Sequence, residues 1–403
     1  MRIWRISLKN IKSKPLYTFL SVFILTLSIA LLLGIQQLKA SFKNQIENNI
    51  SNIDLVIGAK GSPLQLVLAS VLHLDNPTGN ISYEEANKIS KNPMIKSVIP
   101  ISYGDNYKGF RIVGTIKEYL NIYNAGLQKG RFVNKTMEVV LGANVAKQLH
   151  LNIGDTFLSA HGLIENSIDV HTDKLTVVGI LKPTEKVIDR LIITNLESIW
   201  DVHHHEEEKI HTDHAHENHD EDKEITSLLI TFKSKRALLS LPRKINESTN
   251  LQAALPIYEL NKLYDYISIG FETVNWIAYL ILIISCLTIF TSLYKMVKER
   301  TFDLAILRTY GASNFQLIKM VFYEGMFIVF VAFLLGVTFI KLGFYFVINS
   351  VKTNYQQNIL QQLPFNDFLE IVILIFTMVI VAVLLAIYPI IKMNISTILS
   401  NEK

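Results

Sequence analysis

Four apolar stretches constrain this chain more than any other feature of its sequence. Residues 16–35, 274–294 and 371–391 contain no charged side chain, and residues 320–340 contain only Glu324. About 20 helical residues cover the roughly 30 Å of hydrocarbon in a bilayer, so each stretch predicts a membrane-spanning helix. We expect Glu324 to lie near a membrane boundary, where water solvates it. With 50% hydrophobic residues concentrated in this way, wholly soluble, fibrous and disordered proteins are excluded.

Basic residues predict the orientation of these spans. Five of them and no acid precede the first stretch, and five more lie between the second and third stretches, at Lys295, Lys298, Arg300, Arg308 and Lys319. Because basic loops stay on the cytoplasmic side, the sequence predicts a multi-pass protein of the cytoplasmic (inner) membrane with both termini in the cytoplasm. The first stretch is longer than the apolar region of a signal peptide, which favours an uncleaved anchor.

The predicted spans divide the chain into three parts. Residues 1–36 hold the cytoplasmic N-terminus and the first span, residues 37–270 form one extracytoplasmic block, and residues 271–403 hold the other three spans with a short external loop at 349–367. Short β-rich runs alternate with turn signals in the large block. The predicted fold class is therefore an α-helical membrane protein with four transmembrane helices and one large α+β extracytoplasmic domain between helices 1 and 2.

Local patterns in the large block predict individual elements. The predicted strands are residues 95–102, 111–113, 139–141, 175–181, 190–194 and 225–232, and residues 143–149 have helical composition. Residues 58–63 predict a glycine turn close to the membrane surface, with a ligand- or partner-contacting loop as the alternative. The phosphate-binding pattern Gly-x4-Gly-Lys-Ser/Thr occurs nowhere in the chain. We therefore expect no catalytic residues and no ATPase activity in this polypeptide.

A histidine-rich loop is predicted at residues 201–224. Seven of the chain's 11 histidines lie there, at His203, His204, His205, His211, His214, His216 and His219, among ten acidic residues. Neutral imidazoles and carboxylates suit zinc or another divalent transition metal, although the tract lacks the fixed spacing of a closed site. Metal capture or sensing is the leading hypothesis, and a loop without function or a response to pH remain open. The scattered histidines are interpreted as ordinary surface or core residues: His73, His150, His161 and His171.

The segment after the second span has the pattern of a short amphipathic helix at the cytoplasmic face, over residues 299–312. Its apolar stripe and flanking arginines are Leu304, Ile306, Leu307, Arg300 and Arg308. Gly311 can end this helix, and Ser313 can cap the next one. The residues alone do not decide whether the helix binds a partner or only the membrane surface.

The same run, Glu-Arg-x-x-Asp-Leu-Ala-Ile-Leu-Arg-x-x-Gly-Ala-Ser, resembles the signature of FtsX-like, or MacB-like, ABC transporter permeases. Residues 142–155, 177–181 and 389–399 resemble further motifs of that family. The resemblance implies that helix 299–312 docks on a separate cytosolic ABC ATPase, which binds the ATP. The implied coupling residues are Glu299, Arg300, Asp303, Leu304, Ile306, Leu307, Arg308, Gly311 and Ala312. The family usually has Glu where this chain has Asp303.

The resemblance also implies a homodimer, or a heterodimer with a related permease, that transmits ATP-driven motion to its extracytoplasmic domain. A periplasmic protein partner would fit that role. The alternative is a non-transporting membrane-anchored sensor or scaffold whose His-rich external domain binds metal or a protein partner. A net charge of +4 gives no indication of nucleic acid binding, and the single Cys286 excludes an intramolecular disulfide framework and a Cys-based zinc ribbon.

Overall fold

A computed structural model describes residues 7, 15–50, 52–160, 170–202, 223–350 and 363–391. The chain forms two compact units. We call them the membrane unit, which contains residues 1–42, 267–351 and 360–403, and the inserted domain, which consists mainly of residues 43–266. Each unit is described by itself below.

Four helices of the described chain are long and apolar enough to cross a membrane: Pro15–Ile50, Pro256–Glu299, Asn314–Ser350 and Phe365–Ile391. They contain the four predicted spans, which are thereby confirmed. The first has 36 residues and the second 44, which at 1.5 Å per residue gives lengths of about 54 and 66 Å. Both exceed the roughly 30 Å that hydrocarbon requires.

One apolar core joins the helices of the membrane unit. Leu25, Ile289, Val329 and Val379, one from each long helix, are fully buried in it. A glycine lies where the third and fourth helices pack together: a Cβ on Gly325 of the third helix would lie 2.3 Å from Val383 of the fourth. Small residues of this kind let membrane helices pack backbone against backbone.

Glu324 corrects one expectation from the sequence. Its side chain is 1% exposed, so the prediction that water solvates it at a membrane boundary is wrong. The third helix begins at Asn314, before the apolar stretch used to predict the span, and Glu324 therefore lies within the helix and faces the interior of the unit. Acidic side chains inside membrane segments usually face the protein interior, because lipid cannot solvate them.

The inserted domain is built on a mixed β-sheet. The strands of the described chain are β1 (Leu55–Ala59), β2 (Ile81–Ser82), β3 (Ile95–Tyr107), β4 (Phe110–Thr115), β5 (Leu127–Gly130), β6 (Glu138–Leu141), β7 (Thr156–Ala160), β8 (Val170–Leu181), β9 (Ile192–Thr194), β10 (Glu224–Ile225), β11 (Ser227–Phe232) and β12 (Leu251–Ala254). Ten of them form one sheet in the order β12-β1-β11-β3-β4-β9-β6-β8-β5, with β7 pairing to β3 and β8. The pairs β4–β9 and β6–β8 are parallel, and the other pairs are antiparallel.

Helices cover this sheet, which confirms the α+β class. They are Pro63–Ser70, Tyr83–Ser90, Tyr119–Ile122, Ala143–Leu149, 196–202 and Ala237–Ser248. Two apolar clusters form the core. One contains Leu55 and Ile230 of β1 and β11, and the other contains Ile112, Val139 and Val177 of β4, β6 and β8.

Two local predictions in the inserted domain need correction. Gly58 lies inside β1 rather than in a turn, and Ser62 caps the helix Pro63–Ser70 by accepting a hydrogen bond from the Gln65 N–H. The proposed glycine turn is therefore a strand-to-helix connection. Arg190 belongs to a 3-10 turn that precedes β9 and is not part of that strand.

Candidate functional site

The candidate coupling segment is the connection between the second and third membrane helices. The sequence predicted one helix over residues 299–312, but the structure divides this range. The second membrane helix ends at Glu299, Arg300 leaves the helical conformation (φ −105°, ψ 13°), and a new helix covers Thr301–Thr309. We call Thr301–Thr309 the short helix.

The apolar stripe of the short helix faces the membrane unit. Leu304 is 2% exposed and Ala305 is fully buried, and Leu304 belongs to the same core as the four membrane helices. Leu307 packs against that core while remaining partly exposed. Because burying a leucine contributes about 2 kcal/mol, the stripe fixes the short helix to the helices that it connects.

A regular helix end follows at Gly311. The N–H of Gly311 donates to the Arg308 carbonyl, and the N–H of Ala312 donates to the Leu307 carbonyl. Both N···O distances are 3.0 Å. These two bonds form the Schellman arrangement, in which the first residue after the helix end, here Gly311, has a positive φ. Gly311 has φ +91°, a conformation that glycine adopts without steric cost. The prediction that Gly311 ends the helix is confirmed.

The third membrane helix begins with a capping box. The Gln316 N–H donates to the Ser313 hydroxyl at 3.3 Å, and the Ser313 N–H donates to the Gln316 side-chain oxygen at 3.1 Å. Each side chain thereby satisfies a backbone donor that the helix itself leaves unpaired. The predicted cap at Ser313 is confirmed, and the short helix is joined to the third membrane helix by a turn with defined hydrogen bonds at both ends.

Two aromatic side chains at this turn are exposed, and sequence reasoning missed both. Tyr310 is 86% exposed and Phe315 is 71% exposed. Asp303 lies on the open side of the short helix, whereas Ile306 and Arg308 are half-buried. Exposed aromatic groups are typical of interfaces, where a ring supplies a large contact area with little loss of side-chain freedom.

The remaining predicted coupling residues lie around these features. Glu299, at the end of the second membrane helix, forms an ion pair with Lys295 one turn earlier, with 3.9 Å between Lys295 Nζ and Glu299 Oε1. Both side chains are substantially exposed, so this pair contributes little to stability. Ala312 is half-buried in the turn that follows Gly311.

The predicted metal ligands from His203 to His219 lie outside the described residues. Immediately before them, Trp200 donates its indole N–H to the Glu224 carbonyl at 2.7 Å, which links the two ends of the histidine-rich loop. Within the described ranges, no group of three or more His, Cys, Asp and Glu side chains is arranged to hold a metal ion. Metal binding by the tract therefore stays a prediction.

One of the scattered histidines occupies the core of the inserted domain, as predicted. His73 is 5% exposed and has φ +53°. Its Nδ1 lies 2.7 Å from the Tyr103 hydroxyl and its Nε2 lies 2.9 Å from the Tyr119 hydroxyl. Each ring nitrogen of His73 therefore has a tyrosine hydroxyl as its hydrogen-bond partner.

The surroundings of His73 keep its ring neutral. Burial lowers the pKa of His73 well below its ordinary value, and the positive charges of Arg190 and Arg111 lower it further. A neutral imidazole satisfies both tyrosines, whereas a protonated ring would place a charge in an apolar core without a counter-ion. His73 is thus a structural group of the inserted domain.

Comparison with known families identifies both parts of the chain. Residues 18–238 match the model of the MacB-like periplasmic core domain, and residues 275–395 match the model of the FtsX-like permease C-terminal part. An uncharacterized membrane protein of Buchnera aphidicola subsp. Schizaphis graminum (strain Sg) is 26% identical over 158 residues. That alignment covers 37% of this chain, and the chain spans only 37% of that relative's length.

Several solved structures are similar to this chain over about half of its length. The periplasmic region of MacB from Actinobacillus actinomycetemcomitans is 13% identical, and the match covers 54% of this chain and 97% of that one with a TM-score of 0.34. The extracellular domain of the noncanonic ABC-type transporter YknZ from Gram-positive bacteria is 13% identical, with coverages of 50% and 98% and a TM-score of 0.31. A permease domain from Porphyromonas gingivalis is 10% identical, with coverages of 51% and 88% and a TM-score of 0.26.

Proposed function

The chain belongs to the family of ABC transporter permeases that join a MacB-like periplasmic core domain to an FtsX-like C-terminal part, and from this premise we propose that it transmits ATP-driven motion to its inserted domain. The ATP is bound and hydrolysed by a separate cytosolic ABC ATPase. In this proposal the chain is a multi-pass protein of the cytoplasmic membrane, both termini and the short helix are cytoplasmic, and the inserted domain is extracytoplasmic. The permease works as a homodimer or beside a related permease.

The observation that carries this proposal is the attachment of the short helix. Leu304 is buried among the four membrane helices, and the hydrogen-bonded turn at Gly311 leads directly into the third of them. A displacement of the short helix is therefore passed to the bundle rather than absorbed by a loose loop. Coupling requires this inward attachment as much as it requires a contact with the ATPase.

The outward contact is supplied by different residues. Asp303, Tyr310 and Phe315 remain exposed, and they offer two aromatic anchors beside one acid to a partner surface. This assignment separates two predicted coupling residues, Leu304 and Leu307, from a third, Asp303, which lies with the two aromatic residues on the exposed side. Leu304 and Leu307 hold the short helix on the membrane unit, and the exposed residues bind the ATPase.

The lengths of the first two membrane helices support transmission beyond the bilayer. At about 54 and 66 Å, the helices Pro15–Ile50 and Pro256–Glu299 are much longer than a bilayer requires. Continuous helices transmit displacement along their axes because their backbone hydrogen bonds resist compression and bending. We infer that these two helices carry motion toward the inserted domain, where a periplasmic protein partner receives it.

Co-expression with the ABC ATPase chains of the source genome tests the proposal. One ATPase is expected to co-purify with the tagged permease and to hydrolyse ATP in the complex. The double variant Tyr310→Ser/Phe315→Ser is expected to weaken this association about tenfold or more, as loss of interface anchors does. The matched control is Tyr345→Ser/Phe346→Ser, which removes two exposed aromatic residues near the other end of the third membrane helix.

Binding and coupling are then separated with Leu304→Ala. This variant leaves the exposed contact residues in place but removes a buried side chain worth about 2–5 kcal/mol of packing. It is expected to retain the ATPase and to lose much of the permease-dependent change in ATP turnover. If no ATPase associates, or if the double variant and its control behave alike, the chain is better explained as a sensor or scaffold.

For the histidine-rich loop we propose binding of a divalent transition metal such as zinc. Support comes from its composition, seven histidines among ten acids, which offers the imidazole and carboxylate ligands that zinc accepts. Zinc titration of the full chain is compared with a variant lacking residues 203–219. The deletion is expected to remove most of the bound zinc, and equal stoichiometry in the two proteins would exclude this role.

A further inference from the structure

The inserted domain contains a cavity of about 440 Å³ at the ends of two parallel strands. Strands β4 and β9 run side by side, with Val113 opposite Ile193 and Gly114 opposite Thr194. The residues that follow their carboxyl ends, including Ile116 and Asn195, line the cavity. At the carboxyl ends of parallel strands, side chains and backbone groups from separate loops converge, and ligands often bind there.

Part of the cavity lining is apolar. Leu120, Val140 and Leu196 are buried side chains of its lining. Two threonines also line the cavity, but their hydroxyls already donate hydrogen bonds within the domain. Thr115 donates to the Pro100 carbonyl and Thr194 donates to the Glu138 carbonyl, both at an O···O distance of 2.8 Å. A ligand body that contacts these apolar side chains therefore meets mainly hydrocarbon, and the two threonine hydroxyls are not available to it.

Aromatic rings and lysines also line the cavity. Tyr83 and Trp200 pack edge to face with 5.3 Å between ring centroids, and the Trp200 indole is held by its bond to the Glu224 carbonyl. The Lys117 ammonium lies 5.1 Å from the centre of the Phe132 ring, and the Lys223 ammonium lies 5.7 Å from that of Trp200. Each cation is thereby positioned over an aromatic face.

We propose that this cavity binds a small amphipathic anion, an aryl or short acyl body that carries one carboxylate. Its volume lies within the range of about 300–1,000 Å³ typical of small-molecule sites. The apolar side chains of the lining fit the body of such a ligand, and the two lysines fit its carboxylate. The site is separate from the ATPase contact, so it does not depend on the coupling mechanism proposed above.

The lining also discriminates against other ligands. Its charged side chains are two lysines and one exposed glutamate, Glu197, so an anion is favoured over a cation. A ligand with many polar groups is disfavoured, because those that face Leu120, Val140 and Leu196 would lack hydrogen-bond partners. An apolar body without a charge gains nothing from the lysines.

Equilibrium dialysis with the full-length protein in detergent tests the proposal, with the same micelles in both chambers and a chelator present. The probes are 2-naphthoate and the neutral 2-naphthamide, which share one ring system. Naphthoate is expected to bind at one site per chain and at least about five times more tightly than naphthamide. Lys117→Met/Lys223→Met should weaken naphthoate about five- to tenfold and leave naphthamide unchanged, because only the anion contacts the ammonium groups.

Matched variants keep the result interpretable. Lys129→Met/Lys235→Met removes two exposed lysines outside the lining and should leave naphthoate binding unchanged. Val133→Trp places a large side chain in the cavity, whereas Leu239→Trp changes a residue that is 85% exposed elsewhere. Loss of naphthoate binding in Val133→Trp alone supports the site. Equal binding of the two probes, or equal binding by the two tryptophan variants, would overturn it.

Discussion

Glu138 on β6 shows how one carboxylate organises a connection of the inserted domain. It accepts from the Arg131 guanidinium at 2.6 Å and from the backbone N–H groups of Asn134 and Lys135 at 3.0 and 3.2 Å. These contacts lower the pKa of Glu138 to about 2. The hydrogen bond from the Arg131 guanidinium has the largest effect, and the backbone donors add to it. The ionised carboxylate thus closes the loop that leads into β6.

This shift predicts acid sensitivity. Because the pKa of Glu138 is lower in the folded than in the unfolded protein, its contribution is complete above about pH 4.5 and is lost as the pH falls toward 2. Arg131 is half-exposed, so solvent screening makes this contribution smaller than the pKa shift alone would give. The unfolding temperature, measured between pH 7 and 3, should show this loss of stability in the wild type and not in Glu138→Gln. Glu84→Gln, in the exposed pair with Lys88, is the control and should retain the loss.

His73 predicts a second, earlier loss of stability on acidification. Its pKa is held well below 6.5 by burial, so below pH 6.5 the unfolded chain takes up a proton that the folded domain excludes. The unfolding temperature of the wild type should therefore fall between pH 7.5 and 5.5. His73→Asn should show a smaller pH dependence, since Asn tolerates the positive φ and does not titrate.

The matched control for His73 is His150→Asn. His150 has nearly the same backbone conformation, with φ +54°, but its side chain is exposed. Its replacement is expected to leave the pH dependence as in the wild type. An identical pH dependence in both variants would mean that the buried ring does not control this transition.

At the scale of elements, close helix packing in the membrane unit predicts an asymmetry between two glycines of the third helix. A Cβ on Gly325 would meet Val383 of the fourth helix at 2.3 Å, whereas a Cβ on Gly343 would meet no atom within 4 Å. Gly325→Ala should lower the thermal stability of the purified protein, because overpacking costs about 1–3 kcal/mol. Gly343→Ala should leave it unchanged or raise it by up to about 1 kcal/mol. Equal effects would show that the third and fourth helices do not pack at Gly325.

Elements that depend on local signals were predictable from the sequence. The spans follow from uninterrupted apolar runs, and the end at Gly311 and the cap at Ser313 follow from the conformations those residues favour. The helix Ala143–Leu149 has the predicted bounds. In each case the information lies within a few residues of the element itself.

Features that depend on distant contacts were not predictable in this way. The parallel pairing of β4 with β9 joins segments about 80 residues apart, and it creates the cavity. The burial of Glu324 and the inward orientation of Leu304 follow from packing against other helices. Periodicity shows that a helix has an apolar face but does not identify what that face contacts.

At the scale of the whole molecule, the distribution of apolar residues favours transmission of motion over conduction. Side chains from all four membrane helices meet in one core, in which Leu25, Ile289, Val329 and Val379 have no exposed surface. More than half of the chain forms the inserted domain instead. A filled bundle attached to a large domain suits the transmission of motion proposed above, whose direction across the membrane depends on the orientation predicted from the basic residues.

That orientation predicts a labelling pattern, which the single native cysteine makes measurable. Cys286 is 8% exposed within the membrane unit, so it should react slowly and give a low background. Leu239→Cys and Tyr310→Cys place thiols at positions that are 85% and 86% exposed, one in the inserted domain and one beside the short helix. In right-side-out vesicles, a membrane-impermeant maleimide should label Leu239→Cys at least about ten times faster than Tyr310→Cys, because the bilayer excludes the charged reagent.

Inverted vesicles provide the reciprocal measurement. There the Tyr310→Cys variant should react and the Leu239→Cys variant should be protected, and both should react after detergent treatment because both thiols are exposed. The opposite pattern would place the short helix outside the cell, where no cytosolic ATPase could reach it. The coupling proposal would then fail, whereas anion binding by the cavity of the inserted domain would be unaffected, since it requires only the folded domain.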